Sequence, residues 1–128
     1  MSYPDYFPKG CPPRKAKNIE VEAYRICKDE IVTHSDFLSF HEEGKLAYLD
    51  DIKKYGVSLD KDEDTLKAML KMPSFKRQNK KCIAKGITKK DLGVVLETPS
   101  ASSTHLTWWL KVDSKPENYF RCCYKKGE

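Results

Sequence analysis

The chain lacks any apolar run approaching the ~20 residues that a membrane-spanning helix needs, so no such span is expected. Its opening, Met1-Ser2-Tyr3-Pro4-Asp5, has neither the basic nor the apolar segment of a secretory leader, and a cytoplasmic location is expected. Arginine is scarce: of 24 basic residues only Arg14, Arg25, Arg77 and Arg121 carry a guanidinium. Base and phosphate readout favours that bidentate fork, whereas lysine acts as a point charge, so nucleic acid is a disfavoured partner. No C-x-x-C occurs among the five cysteines, which excludes the local signature of a zinc ribbon or a thioredoxin-type site. The odd count, with Cys122-Cys123 as the one close pair, predicts reduced, half-buried thiols and no metal centre. No nucleophile elbow marks a Ser-His-Asp or Cys-His catalyst either.

What is present suits one folded domain over residues 1–128. Hydrophobic residues make up 39%, charged residues 34% and aromatics 11%; the aromatics exclude wholesale disorder, and the charge implies a modest core with a heavily solvated surface. The net charge is +5. Most lysines alternate with acids, as in Lys61-Asp62-Glu63-Asp64, but Lys71 to Lys90 contains bases and no acid. That stretch is a candidate for phosphate contact, weighed against a solvated face.

Residues 1–18 form a Pro- and aromatic-rich lead-in, with Tyr3, Tyr6 and Phe7 expected to dock on the body. Ile19 to Cys27 reads as a strand that starts with one wet face and ends buried on both. A short helix over Asp36–His41, capped by Thr33 or Ser35, is expected, and Leu46 to Tyr55 is ambiguous between helix and loop. Gly56 to Leu59 reads as a short buried strand. Asp60 then caps a helix, with Glu63 three residues on, Leu66, Met69 and Leu70 as its apolar stripe and Pro73 at its end. Cys82–Ile87, Val94–Thr98 and His105–Val112 are further strands, and Pro99 to Ser103 is a loop of small residues. The tail from Asp113 is polar, with Tyr119, Phe120 and Tyr124 able to pack. The sum is an α+β fold with a mostly antiparallel sheet of four to five strands and two or three short helices.

Three places can carry chemistry. Arg25, in the buried half of a strand, needs a carboxylate, backbone carbonyls or an anionic ligand; an ion pair with Glu97 or Asp36 is the structural alternative. Ser58, beside Gly56 at a strand end, offers a hydroxyl to a ribose or phosphate. On the strand from His105, alternation sends His105, Thr107 and Trp109 one way and Leu106, Trp108 and Leu110 the other. The second set suits the core. The first suits either a packed surface strand or a pocket in which Trp109 stacks on a planar ligand and His105 exchanges protons near neutral pH.

Tyr24-Arg25 on the first strand, Gly56-Val57-Ser58-Leu59 before a helix, and Glu97 on a later strand together resemble the arginine–serine–glutamate layout of ADP-ribosyltransferase-like folds. The resemblance implies that Tyr24 and Arg25 hold NAD phosphate or ribose, that Ser58 shapes the nicotinamide pocket and that Glu97 assists the ribosyl cation. NAD is then the implied cofactor and Glu97 a catalytic group; the strand reading adds His105 as a second catalytic group and Thr107 and Trp109 as ligand contacts. Val95 stands two residues before Glu97, where that family carries a partner for its glutamate. A second resemblance spans most of the chain. Gly10-Cys11-Pro12-Pro13, Tyr24-Arg25, Asp36-Phe37-Leu38-Ser39, Gly56-Val57-Ser58 and Thr107-Trp108-Trp109 are similar to a family of small bacterial proteins of no established function. It implies a bacterial, cytoplasmic origin and no mechanism. The alternative to a nucleotide-like ligand is a non-catalytic module that binds a protein partner, such as a defence or toxin–antitoxin accessory, through the Tyr/Phe/Pro lead-in or the aromatic C-terminal segment.

Overall fold

A computed structural model describes residues 2–45 and 51–127. Among the described residues six strands form one sheet: β1 (Glu22–Cys27), β2 (Val57–Asp60), β3 (Cys82–Ile87), β4 (Gly93–Glu97), β5 (His105–Leu110) and β6 (Phe120–Lys125). Their spatial order is β4-β5-β2-β1-β3-β6, and every neighbouring pair is antiparallel. Two short helices, α1 (Glu63–Met69) and α2 (Pro73–Arg77), lie between β2 and β3 in the chain. The α+β class and the antiparallel sheet are as expected, but the strands number six where the sequence suggested four to five.

The sixth strand escapes sequence reading for a geometrical reason. Its segment, Phe120-Arg121-Cys122-Cys123-Tyr124-Lys125, carries a bulge against β3: Ala84 pairs with Cys122, yet Ile83 pairs with Tyr124. The extra residue reverses the facing of everything after it. Phe120 and Cys122 therefore pack on one face of the sheet and Tyr124 on the other, so the period-2 signal is broken inside six residues.

Each face of the sheet has its own apolar cluster. The larger holds Phe37, Leu106, Trp108 and Phe120 with Val57, Leu59 and Val95. Phe37 meets Phe120 edge-on with ring centroids 5.0 Å apart and Trp108 at 6.5 Å, an arrangement that aligns ring edges with ring faces. Leu106 and Trp108 thus take the core positions that alternation assigned to them. On the opposite face Ile26 and Ile83 are covered by Leu66 and Leu70, the apolar stripe of α1, with Tyr24, Met69 and Phe75 at the margin.

Local chemistry explains where three expectations shift. The cap of α1 is Asp62, whose carboxylate accepts from the Thr65 hydroxyl at 2.7 Å; Asp60 stays in β2. Pro73 does not merely stop a helix. It opens α2, where its missing N–H costs nothing in the first turn. The helix expected over Asp36–His41 is a 3-10 turn, His34–Phe37, held by the Asp36 carboxylate accepting from Thr33 N at 2.9 Å. Of the ambiguous Leu46–Tyr55 stretch, residues 46–50 lie outside the described residues, and Ile52–Tyr55 is a second 3-10 turn.

The lead-in lies on the body. Lys17 exchanges two backbone hydrogen bonds with Val95 on the otherwise open edge of β4, and Ser2 O accepts from Val112 N at 2.8 Å. Tyr6 stacks on His41 (4.5 Å) and Phe7 meets Tyr55 edge-on (5.9 Å), so the aromatics proposed as a partner surface make intramolecular contacts. The strand expected from Ile19 begins at Glu22; Ile19 and Val21 instead bond the buried Thr88 hydroxyl, through Ile19 O at 3.0 Å and Val21 N at 2.9 Å.

The β3–β6 junction yields a direct test. A Cβ on Gly86 would stand 2.3 Å from Tyr119 O and 2.4 Å from the Phe120 ring. Gly86→Ala is expected to destabilise the fold by about 1–3 kcal/mol, read from the denaturant midpoint at constant m. A neutral outcome would mean that β6 does not lie against β3 in this register.

Candidate functional site

On the α1 face, β1 and β2 part company almost as soon as they pair: Tyr24–Asp60 is the single register pair between them. The opening becomes a cleft of about 470 Å³, within the ~300–1,000 Å³ of small-molecule sites. Tyr24, Ile26 and Ser58 belong to its sheet wall, and Leu66, Met69 and Phe75 of the two helices form an apolar wall. Phe40, Glu43 and Lys45 close another side, while Ser100 to Ser102 and His105 stand at the β5 end.

Arg25 occupies the seam. Its Nε donates to Asp36 O at 2.8 Å and one terminal nitrogen donates to Ser58 O at 2.9 Å. The alternative of an ion pair with Asp36 gives way to a bond to that residue's backbone carbonyl; the Asp36 carboxylate accepts from Thr33 N and Lys28 N. A guanidinium has five N–H donors, so these two bonds leave donors over for the cleft, which Arg25 lines. Lys80 also lines it. Burial, and then the neighbouring Arg25 charge, push the Lys80 ammonium below its ordinary pKa; Glu43 and Asp36 pull the other way. Burial likewise lowers Arg25, against Cys27, Glu43 and Asp36. Two cations held close together in a partly dry wall favour an anion between them.

Asp60, 1% exposed, builds the far end. Its carboxylate accepts from Ser102 Oγ and Thr104 Oγ1, both at 2.6 Å, and from Asp62 N at 2.8 Å. The small-residue loop is thereby pinned to β2 instead of hanging free. His105 is fixed next to it: Nδ1 lies 3.1 Å from Thr98 O and 2.8 Å from Thr98 Oγ1, which in turn sits 2.7 Å from Thr107 Oγ1. With Nδ1 donating to the carbonyl, Nε2 is left as an acceptor. Burial lowers the His105 pKa, with the Thr98 carbonyl opposing, which favours the neutral ring.

Of the seven residues singled out from the sequence, Tyr24, Arg25, Ser58 and His105 line this cleft. Three do not: strand alternation turns Glu97 away, and burial seals Thr107 and Trp109. Glu97 is directly opposite Leu106 in the β4–β5 ladder, so it projects to the face of the larger core while His105 projects to the other. Glu97 is instead solvent-exposed and accepts from Lys61 Nζ at 2.6 Å, which holds its carboxyl below the ordinary range. Glu97 and His105, both named as catalytic candidates, therefore lie on opposite faces of the sheet. Trp109 does face the His105 side but is completely buried, donating from Nε1 to Ile52 O at 3.0 Å, with Gly56 packed close against its ring. It has no face free for stacking. Thr107 is 1% exposed and serves Thr98, one step behind His105.

Four of the five thiols are held above the ordinary thiol range. Burial raises Cys11 and Cys82 to about 11 and Cys27 and Cys123 to about 12, far from the depressed values of reactive cysteines. Among the described residues, no group of three or more His, Cys, Asp or Glu converges as a metal-ligand set. Likewise, no described helix is long and apolar enough to cross a membrane.

Sequence reasoning missed Lys80, Glu43 and the anchoring role of Asp60. In the sequence Lys80 is only one member of a basic run, and Asp60 reads as a helix cap because capping chemistry and loop anchoring use the same carboxylate. Comparison with family models, with curated proteins and with solved structures found no match to the chain.

Two outcomes follow. The His105 ring is expected to titrate below the ordinary ~6.5 when followed by NMR. The unfolded chain then binds the proton first, so its contribution to stability is complete above about pH 6.5 and is lost as pH falls through the folded-state value. His105→Asn should flatten that slope in acid denaturation. Separately, Asp60→Ala removes one partner of two hydroxyls and an N–H, and is expected to cost about 1.5–3 kcal/mol. Limited proteolysis should then cut first between residues 99 and 104; an uncut loop in the variant would exclude Asp60 as its anchor.

Proposed function

We propose that this protein binds a small nucleotide-like anion, of which NAD is the type, in the cleft between α1 and the open seam of the sheet. The observation that carries the reading is the convergence of Tyr24, Arg25, Ser58 and His105 on one cavity whose inner wall holds Arg25 and Lys80. An anionic group of the ligand lies against Arg25, whose unused donors match phosphate geometry. Lys80 adds a second positive charge at short range. The apolar wall of Leu66, Met69 and Phe75 suits a planar, weakly polar moiety, and the hydroxyls of Ser58, Ser100 and Ser102 suit a sugar.

Binding, as opposed to ADP-ribosyl transfer, is the function this site supports best. Transfer calls for a carboxylate beside the ribosyl cation, and Glu97 points away from the cleft. The arginine and serine of the resembled layout retain their roles here as ligand contacts; the glutamate does not. His105 acts as a neutral hydrogen-bond acceptor through Nε2, which recognises a donor on the ligand without changing its charge.

The test is thermal unfolding with and without NAD, ADP-ribose and AMP. At about one hundred times Kd, a ligand that binds only the native state stabilises it by about 2.7 kcal/mol. For a domain of this size that raises Tm by on the order of 10 °C. Arg25→Lys keeps a charge at the seam but loses the fork, and is expected to abolish most of the shift. Ala101→Trp, in the exposed loop at the cleft end, should block the shift while leaving the unliganded Tm nearly unchanged. A folded wild type that none of the three ligands stabilises would overturn the proposal.

A further inference from the structure

Outside the cleft, behind Lys80, lies a second and more open depression of about 510 Å³. Lys28, Lys76, Lys81 and Lys126 line it together with Lys80 itself, and Asp29 is its one acidic group. Four elements deliver these lysines: the segment after β1, the end of α2, the approach to β3 and the residue after β6. Asn79 supplies the bend that makes the arrangement, with φ of 57° and its neighbour Lys80 donating N–H to Phe75 O at 3.0 Å. The left-handed residue ends α2 and turns Lys80 inward while leaving Lys76 and Lys81 outside. Lys81 is bridged to Asp29 at 3.7 Å and Lys126 Nζ donates to Leu70 O, so neither charge is neutralised by a close, buried carboxylate.

The two cavities share Lys80 as a common wall residue. Resting on the nucleotide-like reading of the cleft, we infer that the ligand carries a chain of phosphates: one end lies at Arg25 and Lys80, and the terminal phosphates run past Lys80 into the lysine basin. Five ammonium groups facing a single carboxylate suit a multiply charged, flexible anion that needs point charges instead of a planar fork. The cleft fits the organic part and the basin fits the polyphosphate. This assigns a function to the acid-free stretch of the sequence without invoking a nucleic acid, whose recognition would call on stacking aromatics that the basin lacks.

The experiment is a calorimetric series with adenosine, AMP, ADP and ATP on the wild type and on the triple variant Lys28→Ala, Lys76→Ala, Lys81→Ala. These three lysines are exposed, so the variant should fold normally, as circular dichroism will show. The expected result is binding that tightens about tenfold or more from AMP to ATP and weakens as salt rises, with that gain lost in the variant while AMP affinity is kept. Equal affinity for AMP and ATP would overturn the inference and leave the cleft reading standing. Failure of all four to bind would overturn the inference, and the cleft reading would fall with it only if NAD and ADP-ribose also left the melting temperature unchanged. If a ten-residue oligothymidylate bound more tightly than ATP and through the same lysines, the basin would be a nucleic-acid surface and the inference would fall.

Discussion

Arg25 bridges the place where β1 and β2 stop pairing, donating to Asp36 O on one side and to Ser58 O on the other. A sheet that opens in its middle exposes carbonyls to a partly dry interior, where leaving them unpaired costs about 1–3 kcal/mol each. The guanidinium satisfies two of them with one side chain. It also ties the 3-10 turn that delivers Phe37 to the strand that delivers Ser58. The larger aromatic core and the cleft thus meet at one cation, and neither could keep its shape if the seam closed or widened.

From that seam the two faces of the sheet divide the labour. One face buries Trp108, Phe37 and Phe120 and holds the structure together. The other is covered incompletely by α1, which is only seven residues long, and the uncovered part is the cleft. The cleft's polar groups are secured from behind. Thr107 supports Thr98, Thr98 supports His105, and Asp60 grips the 102–104 loop. Residues that looked like ligand contacts in the sequence, Thr107 and Trp109, are in fact this supporting layer.

How much was legible follows from the range of each signal. Alternation in His105–Leu110 is local, so the assignment of Leu106 and Trp108 to the core and of His105 to the opposite face was available from the order of residues alone. The isolated arginine in a buried strand was equally conspicuous, because an unsatisfied guanidinium there is untenable. By contrast, the bulge at β6 breaks the very periodicity by which strands are recognised, and Phe120–Lys125 was hidden for that reason. Asp60 carries no local mark distinguishing a cap from an anchor, since its partners Ser102 and Thr104 lie more than forty residues away.

The residue order by itself therefore determined the α+β class, the antiparallel habit of most strands, the core face of β5 and the candidacy of Tyr24, Arg25, Ser58 and His105. These rest on periodicity, turn chemistry and the cost of burying charge, all of which act within a few residues. Only the tertiary structure decided that Glu97 and His105 stand on opposite faces, that Trp109 is sealed beneath the Ile52–Tyr55 turn, and that Lys80 joins a cleft to a basin of lysines. Each of those depends on strand register or on contacts between distant segments, and register is set by the packing of the whole sheet and not by any one of its strands.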